Sequence, residues 1–345
     1  MKFEKRQIKD VEGAILAHNI SDQNGRRILR KGIEIGTNEI RQLKALGLES
    51  TYVAILEQDD INEAEAARNI AELICGDHIR RVGAATGRTN LLAEIHGVLH
   101  IDIDRLTRLN QIQGITAATL QDRSVVPERQ MVASIKIIPY AIPEDSLKAV
   151  EDLARNGPIV SLKALTPKQV HLMLLGRTTI LEKLEDDFKP PLEARVLSLG
   201  SKLVAVHRVP TDIEDPVMAI ASALEDLSNQ DIDLLIMAGE TAIMDPRDVI
   251  PTAIEEAGGR VLTTGAPVDP GNLLMLAYLE DLPILGAPGC ARSPKENVVD
   301  WILPRLLSGE RLDSSDITSL GHGGLLEDIK ERPHPRSNAE SDENA

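Results

Sequence analysis

Glu240, Thr241, Asp245, Arg247 and Asp248 crowd into one stretch, residues 234–251, that reads LLIMAGETAIMDPRDVIP. Its first four residues are large and apolar, which suits a parallel strand covered on both faces. The run stops at Ala238-Gly239, where the missing Cβ lets another group approach the backbone. Asp248 then leads into an apolar-periodic run, 252–257, closed by Gly258-Gly259. Strand, glycine turn, polar loop and helix start together match the way open α/β sheets bind ligands, at the carboxyl ends of their strands. An ordinary βα loop with Asp248 as helix cap has the same outline. A second stretch, 282–301 (LPILGAPGCARSPKENVVDW), runs from a strand into Gly286-Ala287-Pro288-Gly289. Gly289 can bring amides close to an anion, and Ser293-Pro294 is expected to open a helix, since proline at the first helical position needs no amide partner. Free N–H groups and the helix dipole would draw phosphate to that terminus. A plain Gly-Pro reversal of the chain is the alternative.

These loops need a sheet to hold them. From about Pro167 apolar strands alternate with helical segments: strands at 170–175, 203–209, 231–237 and 259–264, helices at 191–199 and 215–227. Two further strands, 273–279 and 282–286, flank Glu280-Asp281 as a hairpin, and 297–307 is the last clear helix. Strands separated by helices imply right-handed βαβ units and a mainly parallel sheet. The expected domain is thus a three-layer α/β/α unit over 166–309. Before it, 1–58 reads as a smaller α+β segment, with a hairpin turn at Asp22-Gln23-Asn24-Gly25 and a helix at 37–46 capped by Thr37. Residues 59–165 read as a β-rich linker domain. It holds helices near 61–74 and 144–155, a strand at 131–139, and a basic patch at Arg80, Arg81 and Arg88. Residues 310–345 are expected to be a polar, largely disordered tail.

Lys and Arg total 38 against 54 Asp and Glu, a net charge of -16. That balance argues against a general nucleic-acid binder, which needs a basic surface to displace counterions. Aromatics are only 2%, so the core must be aliphatic. Cys75 and Cys290 show neither metal spacing nor a disulfide framework, and Cys290 is read as a small buried thiol. His171, His207 and Trp301 are read as structural. No stretch approaches a membrane span and the N-terminus lacks an apolar signal core, so a soluble cytoplasmic protein is expected.

The two loops together resemble the molybdopterin-binding fold shared by MogA, MoeA, the gephyrin domains and the CinA-type proteins. Those families carry a Gly-Gly-Thr-Gly-type loop followed by an acidic residue in a segment like RDVTP. Gly239, Thr241 and Arg247-Asp248-Val249 match it. They also carry a later Leu-Pro-Gly-x-Pro segment, matched here by Pro288, Gly289 and Pro294. The resemblance is specific over about 170–308. It is closest to the molybdopterin-binding module sometimes fused to a molybdenum-cofactor nucleotidyltransferase-like domain, and 59–165 is loosely similar to the linker regions of MoeA. The chain departs from the motif at Glu240 and Ala242, which stand where the families have glycine. The distance from Gly239 to Asp248 is one residue longer, which makes Asp245 a rival for the acidic role.

The resemblance implies molybdopterin as ligand or substrate, with ATP or molybdate as co-substrate. It implies Asp248, or Asp245, as the catalytic carboxylate; Asp248 suits Mg²⁺, a hard cation that takes carboxylate and phosphate oxygens. Gly239, Glu240, Thr241, Pro288, Gly289 and Ser293 would line the ligand, and Arg247 or Arg292 would neutralise phosphate. The first reading is adenylyl transfer to molybdopterin or molybdenum insertion, in a possible homo-oligomer that meets other molybdenum-cofactor enzymes. The second is a non-catalytic carrier that hands the cofactor to a partner, which Glu240 favours. A dinucleotide-dependent oxidoreductase is the weakest, because Gly176 stands alone where a G-x-G-x-x-G would be needed.

Overall fold

Residues 170–175 are apolar at every position but His171, so the segment has no polar face to offer water and belongs inside a sheet covered on both sides. The structure, a computed structural model, describes residues 1–84 and 86–326. It divides the chain into two units, Met1–Ala164 and a second that begins at Leu165. In the second unit this segment forms β1 (Gln169–Gly176). There follow α1 (Leu181–Ser198), β2 (Lys202–Pro210), α2 (Pro216–Ser228), β3 (Leu234–Gly239), α3 (Val249–Glu256), β4 (Arg260–Thr264), β5 (Met275–Leu279), β6 (Leu282–Gly286) and α4 (Val298–Leu307).

The six strands make one mixed sheet in the order β2-β1-β3-β6-β5-β4. β2, β1, β3 and β6 run parallel, while β5 is antiparallel to both β6 and β4. Side chains alternate between the faces of a strand. Leu172, Leu174, Ile236 and Leu285 therefore meet α1 and α4 on one face. Met173, Leu175, Leu235, Met237 and Ile284 meet α2 and α3 on the other. The register sets Gly239 beside Leu175 and Gly286 beside Met237, so the carboxyl ends of β1, β3 and β6 share one rim. α1 carries the chain from β1 outward to β2, and α3 carries it from β3 in the opposite direction. The crevice between the ends of β1 and β3 is therefore a topological switch point.

Three expectations are corrected. α1 begins at Leu181 and runs through Pro190 and Pro191, where the sequence placed the helix start at Pro191. Leu181, Leu184, Phe188, Leu192 and Val196 form a buried stripe at helical spacing, and its burial outweighs the lost amides of the prolines. Second, Ser293-Pro294 does not open a helix: Gly289–Arg292 is a short 3-10 turn, Ser293 ends it, and α4 starts only at Val298. Third, the tail packs as far as residue 326. A short helix, α5 (Ser314–Thr318), lies there with Leu312 and Ile317 in the α1/α4 core, and Asp316 and Glu310 pair with the buried Arg305. The remainder of that tail, 327–345, lies outside the described residues.

The first unit is α+β. Lys2–Gln7, Ser50–Ile55 and Ile15–Leu16 form an antiparallel sheet, and the Asp22–Gly25 turn joins Ile20–Ser21 to Arg27–Leu29. The helix Thr37–Ala45 is capped by Gly36 in place of Thr37, with the Gly36 amide donating to Glu39. Met131–Ile137 pairs with Arg88–Ala93, which pairs with Ile79–Ala84. Arg88, Thr89 and Asn90 are thus strand residues, Thr89 buried. No described helix is long and apolar enough to cross a membrane.

His171 of β1 and His207 of β2 stack with centroids 5.1 Å apart and share a 3.0 Å Nδ1···Nε2 hydrogen bond. One ring must donate and the other accept, so at least one of the two is neutral. Burial pushes both pKa values below the ordinary 6.5, and His207 pushes His171 further. The unfolded chain therefore binds more protons than the folded one as pH falls below about 6.5, and stability falls with it. His207→Gln is expected to flatten the loss of melting temperature between about pH 7 and pH 5. Parallel curves for the variant and the wild type would refute a buried neutral pair.

Candidate functional site

The rim is built by the loops that leave β1, β3 and β6. At the end of β3, Gly239 is needed for space: a Cβ there would sit 2.8 Å from the Thr241 carbonyl oxygen and 3.6 Å from Ile250 Cδ1. The chain turns sharply, and residues 240–248 fold back toward the neighbouring strand. A Cβ on Gly286 would meet Ile243 Cδ1 at 3.1 Å, and the Ala287 amide donates to the Met237 carbonyl at 2.8 Å. The two stretches singled out in the sequence therefore meet at one edge of the sheet.

Asp248 occupies the N-cap position of α3 yet makes no side-chain cap. Its Oδ2 instead accepts the amides of Met244 at 2.6 Å and Asp245 at 3.0 Å, closing the loop on itself. Its Oδ1 has no donor among the described residues. Asp245 is held by Arg247, whose amide and Nε reach Oδ1 at 2.9 and 2.8 Å while Nη2 reaches Oδ2 at 3.0 Å. The Arg247 guanidinium keeps that carboxyl below its usual range. Arg247 and Asp245 are thus engaged with each other, which weakens both the rival acidic role of Asp245 and the phosphate role of Arg247.

The loop after β6 hangs on one guanidinium. Arg195 of α1, 8% exposed, donates to the carbonyls of Ala291, Ser293 and Lys295 and to both oxygens of Asp300. Carbonyls that converge on a single point cannot also run along a helix axis, which explains the absent helix at Pro294. The amide terminus of α4 is closed by Asn297 and Asp300, so it offers no anion site. Arg292 lies 4.6 Å over the Phe188 ring and has no ion-pair partner among the described residues. Ser293 Oγ accepts the Lys295 amide at 3.2 Å. Cys290 is half buried, and burial raises its thiol pKa, so the thiolate is disfavoured.

Residues that the sequence reading passed over complete the rim. Arg177, after β1, donates its amide to Glu240 Oε2 at 3.0 Å and its Nε and Nη2 to Glu240 Oε1 at 2.9 and 2.5 Å. Asp212, after β2, accepts the Thr178 amide and hydroxyl at 2.9 and 2.8 Å. These partners hold both carboxyls below their ordinary values, Arg177 acting on Glu240 and the Thr178 donors on Asp212. The one available signal was the abrupt change from an apolar strand to Arg177-Thr178-Thr179. Donors remain on this rim: the amides of Thr241 and Gly289 and the Thr241 hydroxyl have no acceptor among the described residues, and Gly289 has open space where a Cβ would be. For Mg²⁺ the protein supplies little, since no three His, Cys, Asp or Glu side chains converge among the described residues. One carboxylate oxygen, Asp248 Oδ1, fits the usual mode in which the ion keeps waters and takes its other ligands from phosphate.

Two variants test the construction of the rim. Asp248→Asn keeps one acceptor for the Met244 and Asp245 amides and should melt within a few degrees of wild type, whereas Asp248→Ala strands both amides and should cost about 1–3 kcal/mol. Equal stability of the two would show that the carboxylate does not close the loop. Arg195→Met removes the guanidinium that gathers the carbonyls of Ala291, Ser293 and Lys295 and leaves Asp300 without its cation. Chemical denaturation should show a loss of about 3–5 kcal/mol, and a loss below about 1 kcal/mol would contradict the anchoring role.

No family model matches this chain, and no curated protein matches it. Among solved structures it is similar to a molybdenum cofactor biosynthesis protein from Pyrococcus furiosus, at 14% identity and a TM-score of 0.24 over 89% of this chain and 64% of that one. It is also similar to a molybdenum cofactor biosynthesis protein B, at 15% identity and a TM-score of 0.30 over 42% of this chain and 96% of that one. A third likeness is to the molybdopterin biosynthesis moeA protein from Pyrococcus horikoshii OT3, at 9% identity and a TM-score of 0.27 over 89% of this chain and 74% of that one. The chain thus spans just under two thirds of the first of these proteins.

Proposed function

We propose that the rim formed by β1, β3 and β6 binds molybdopterin through its phosphate, and that the protein serves molybdenum cofactor biosynthesis on a MogA-like three-layer domain. One observation carries the reading. The two sequence segments that resemble the molybdopterin-binding motif, 239–248 and 286–293, are brought together on adjacent parallel strand ends, with Met237 beside Gly286. Their remaining donors suit a phosphate: the Thr241 amide and hydroxyl, the Gly289 amide, and the Arg292 guanidinium, which can fork onto two oxygens. Pro288 precedes Gly289 at the start of the 3-10 turn, and Gly289 has open space where a side chain would be.

In the catalytic form of this reading, the rim either transfers an adenylyl group to the pterin phosphate or holds the pterin while molybdenum is inserted. In adenylyl transfer a phosphate oxygen of molybdopterin attacks the α-phosphorus of ATP, the bond to the β-phosphate oxygen breaks, and pyrophosphate leaves. Asp248 Oδ1 would hold Mg²⁺, which when bound supplies positive charge to the phosphates. The chain's own residues orient: Asp248 Oδ2 fixes the loop, and the Thr241 and Gly289 amides align the phosphate. A carrier that binds and releases the cofactor is the second reading, favoured by the Arg177–Glu240 pair, which neutralises the arginine at the end of β1.

The test is binding of molybdopterin to the full chain, followed by the fluorescence of its oxidised pterin. Wild type should retain the pterin, and Thr241→Val should weaken binding about tenfold, the size of one lost hydrogen bond. No retention by wild type would overturn the reading. Release of pyrophosphate from ATP in the presence of molybdopterin, reduced about 10²-fold or more in Asp248→Asn, would assign the catalytic form. Pterin binding with no turnover of ATP and no uptake of molybdate would assign the carrier.

A further inference from the structure

The crevice between β1 and β3 is where this topology leaves room for a ligand, and here its two walls are joined. Arg177 leaves β1 and Glu240 leaves β3, and both oxygens of the Glu240 carboxylate are taken by Arg177 alone. The guanidinium puts both of its bonds on Oε1 while the main-chain amide takes Oε2, charge-assisted contacts of the kind an arginine also makes to phosphate oxygens. We propose that Glu240 is a latch across the crevice, and that a phosphate-bearing ligand reaches Arg177 only by displacing the Glu240 carboxylate. The proposal deepens the reading of this rim as a phosphate site and rests on it.

Three features make the contact exchangeable. The Arg177 side chain is 62% exposed and that of Glu240 is 25% exposed, and ion pairs open to water contribute little to stability. A carboxylate delivered by a flexible side chain can swing away without moving a strand. Glu240 is also tightly seated at its base: its Cβ lies 3.2 Å from where a Cβ on Gly176 would be, and its amide donates to the Leu175 carbonyl at 2.8 Å. The backbone therefore stays while the carboxylate moves. Of the other arginines of the rim, Arg247 is forked onto Asp245, and Arg292, over Phe188, has no carboxylate to displace among the described residues. A ligand would meet the Thr241 and Gly289 amides first and gain Arg177 on opening the latch.

The experiment is calorimetric titration of pyrophosphate into the full chain and its variants. Glu240→Gln should bind pyrophosphate at least about tenfold more tightly than wild type, because a neutral amide competes poorly for the guanidinium. Adding Arg177→Gln should remove the gain. A plain reduction of negative charge would survive in the double variant, so persistence of the gain there overturns the latch, as does equal binding by wild type and Glu240→Gln. If Glu240→Gln does not fold, Glu240→Asp decides: its carboxylate stops one methylene short, and it must show a smaller gain that depends on Arg177. The two proposals fail differently. Absence of molybdopterin binding with the pyrophosphate gain intact sinks the pterin reading alone. Molybdopterin bound equally by wild type, Glu240→Gln and the double variant sinks the latch alone.

Discussion

Arg195 is a buried cation at the end of a helix that would otherwise be apolar along its inner face, and the loop after β6 takes its shape from that charge. A guanidinium out of water must have its donors met. The nearby supply is the carbonyls of Ala291, Ser293 and Lys295 and the Asp300 carboxylate. Meeting that demand draws 289–297 against α1 and closes the start of α4, since Asp300 also accepts the Asn297 amide. The position of Gly289, and with it half of the rim, follows from an electrostatic need in the helix layer.

The other half follows from the sheet. Parallel neighbours with fixed register bring their carboxyl ends to one side, so β1, β3 and β6 deliver their loops to a shared edge. What those loops carry is mostly paired already. Arg177 holds Glu240, Arg247 holds Asp245, and Asp248 holds the amides of its own loop. The rim is therefore an internally neutralised surface with a few free donors. An anionic ligand on this rim would compete with carboxylates of the chain for its cations, and its free energy of binding would be a difference between two sets of charge-assisted hydrogen bonds.

The strands of the second unit were legible because each is a short apolar run bounded by polar or glycine residues, and the hairpin at Glu280-Asp281 announced itself in the same way. α1 was half hidden, since Pro190 and Pro191 point to a helix start while the buried stripe from Leu181 to Val196 crosses them. The helix expected at Ser293-Pro294 followed a sound local rule. It failed because a partner remote in sequence, Arg195, claims the carbonyls. Leu312 and Ile317 were lost in a polar background, although both are buried in the core and the segment is further tied down by Arg305 and by the Tyr278 hydroxyl, which accepts the Leu312 amide. In the site, glycine and carboxylate positions could be read from the chain, but pairings could not. That Asp248 binds the amides behind it, and that Glu240 binds Arg177 across the crevice, depends on distances no linear spacing encodes.

Glu240 joins a fixed main chain to a movable charge at one loop position. A glycine there would leave the end of β3 open and Arg177 unpartnered. The glutamate keeps the turn, since the steric demand for a missing side chain falls on Gly239, and adds a charge on a movable arm. The backbone hydrogen bond from Glu240 to Leu175 holds the two strands together regardless of where the carboxylate points. Rigidity and adjustability are thereby assigned to different atoms of one residue. The main chain continues the sheet, and the side chain decides whether the guanidinium beside it belongs to the protein or to a ligand.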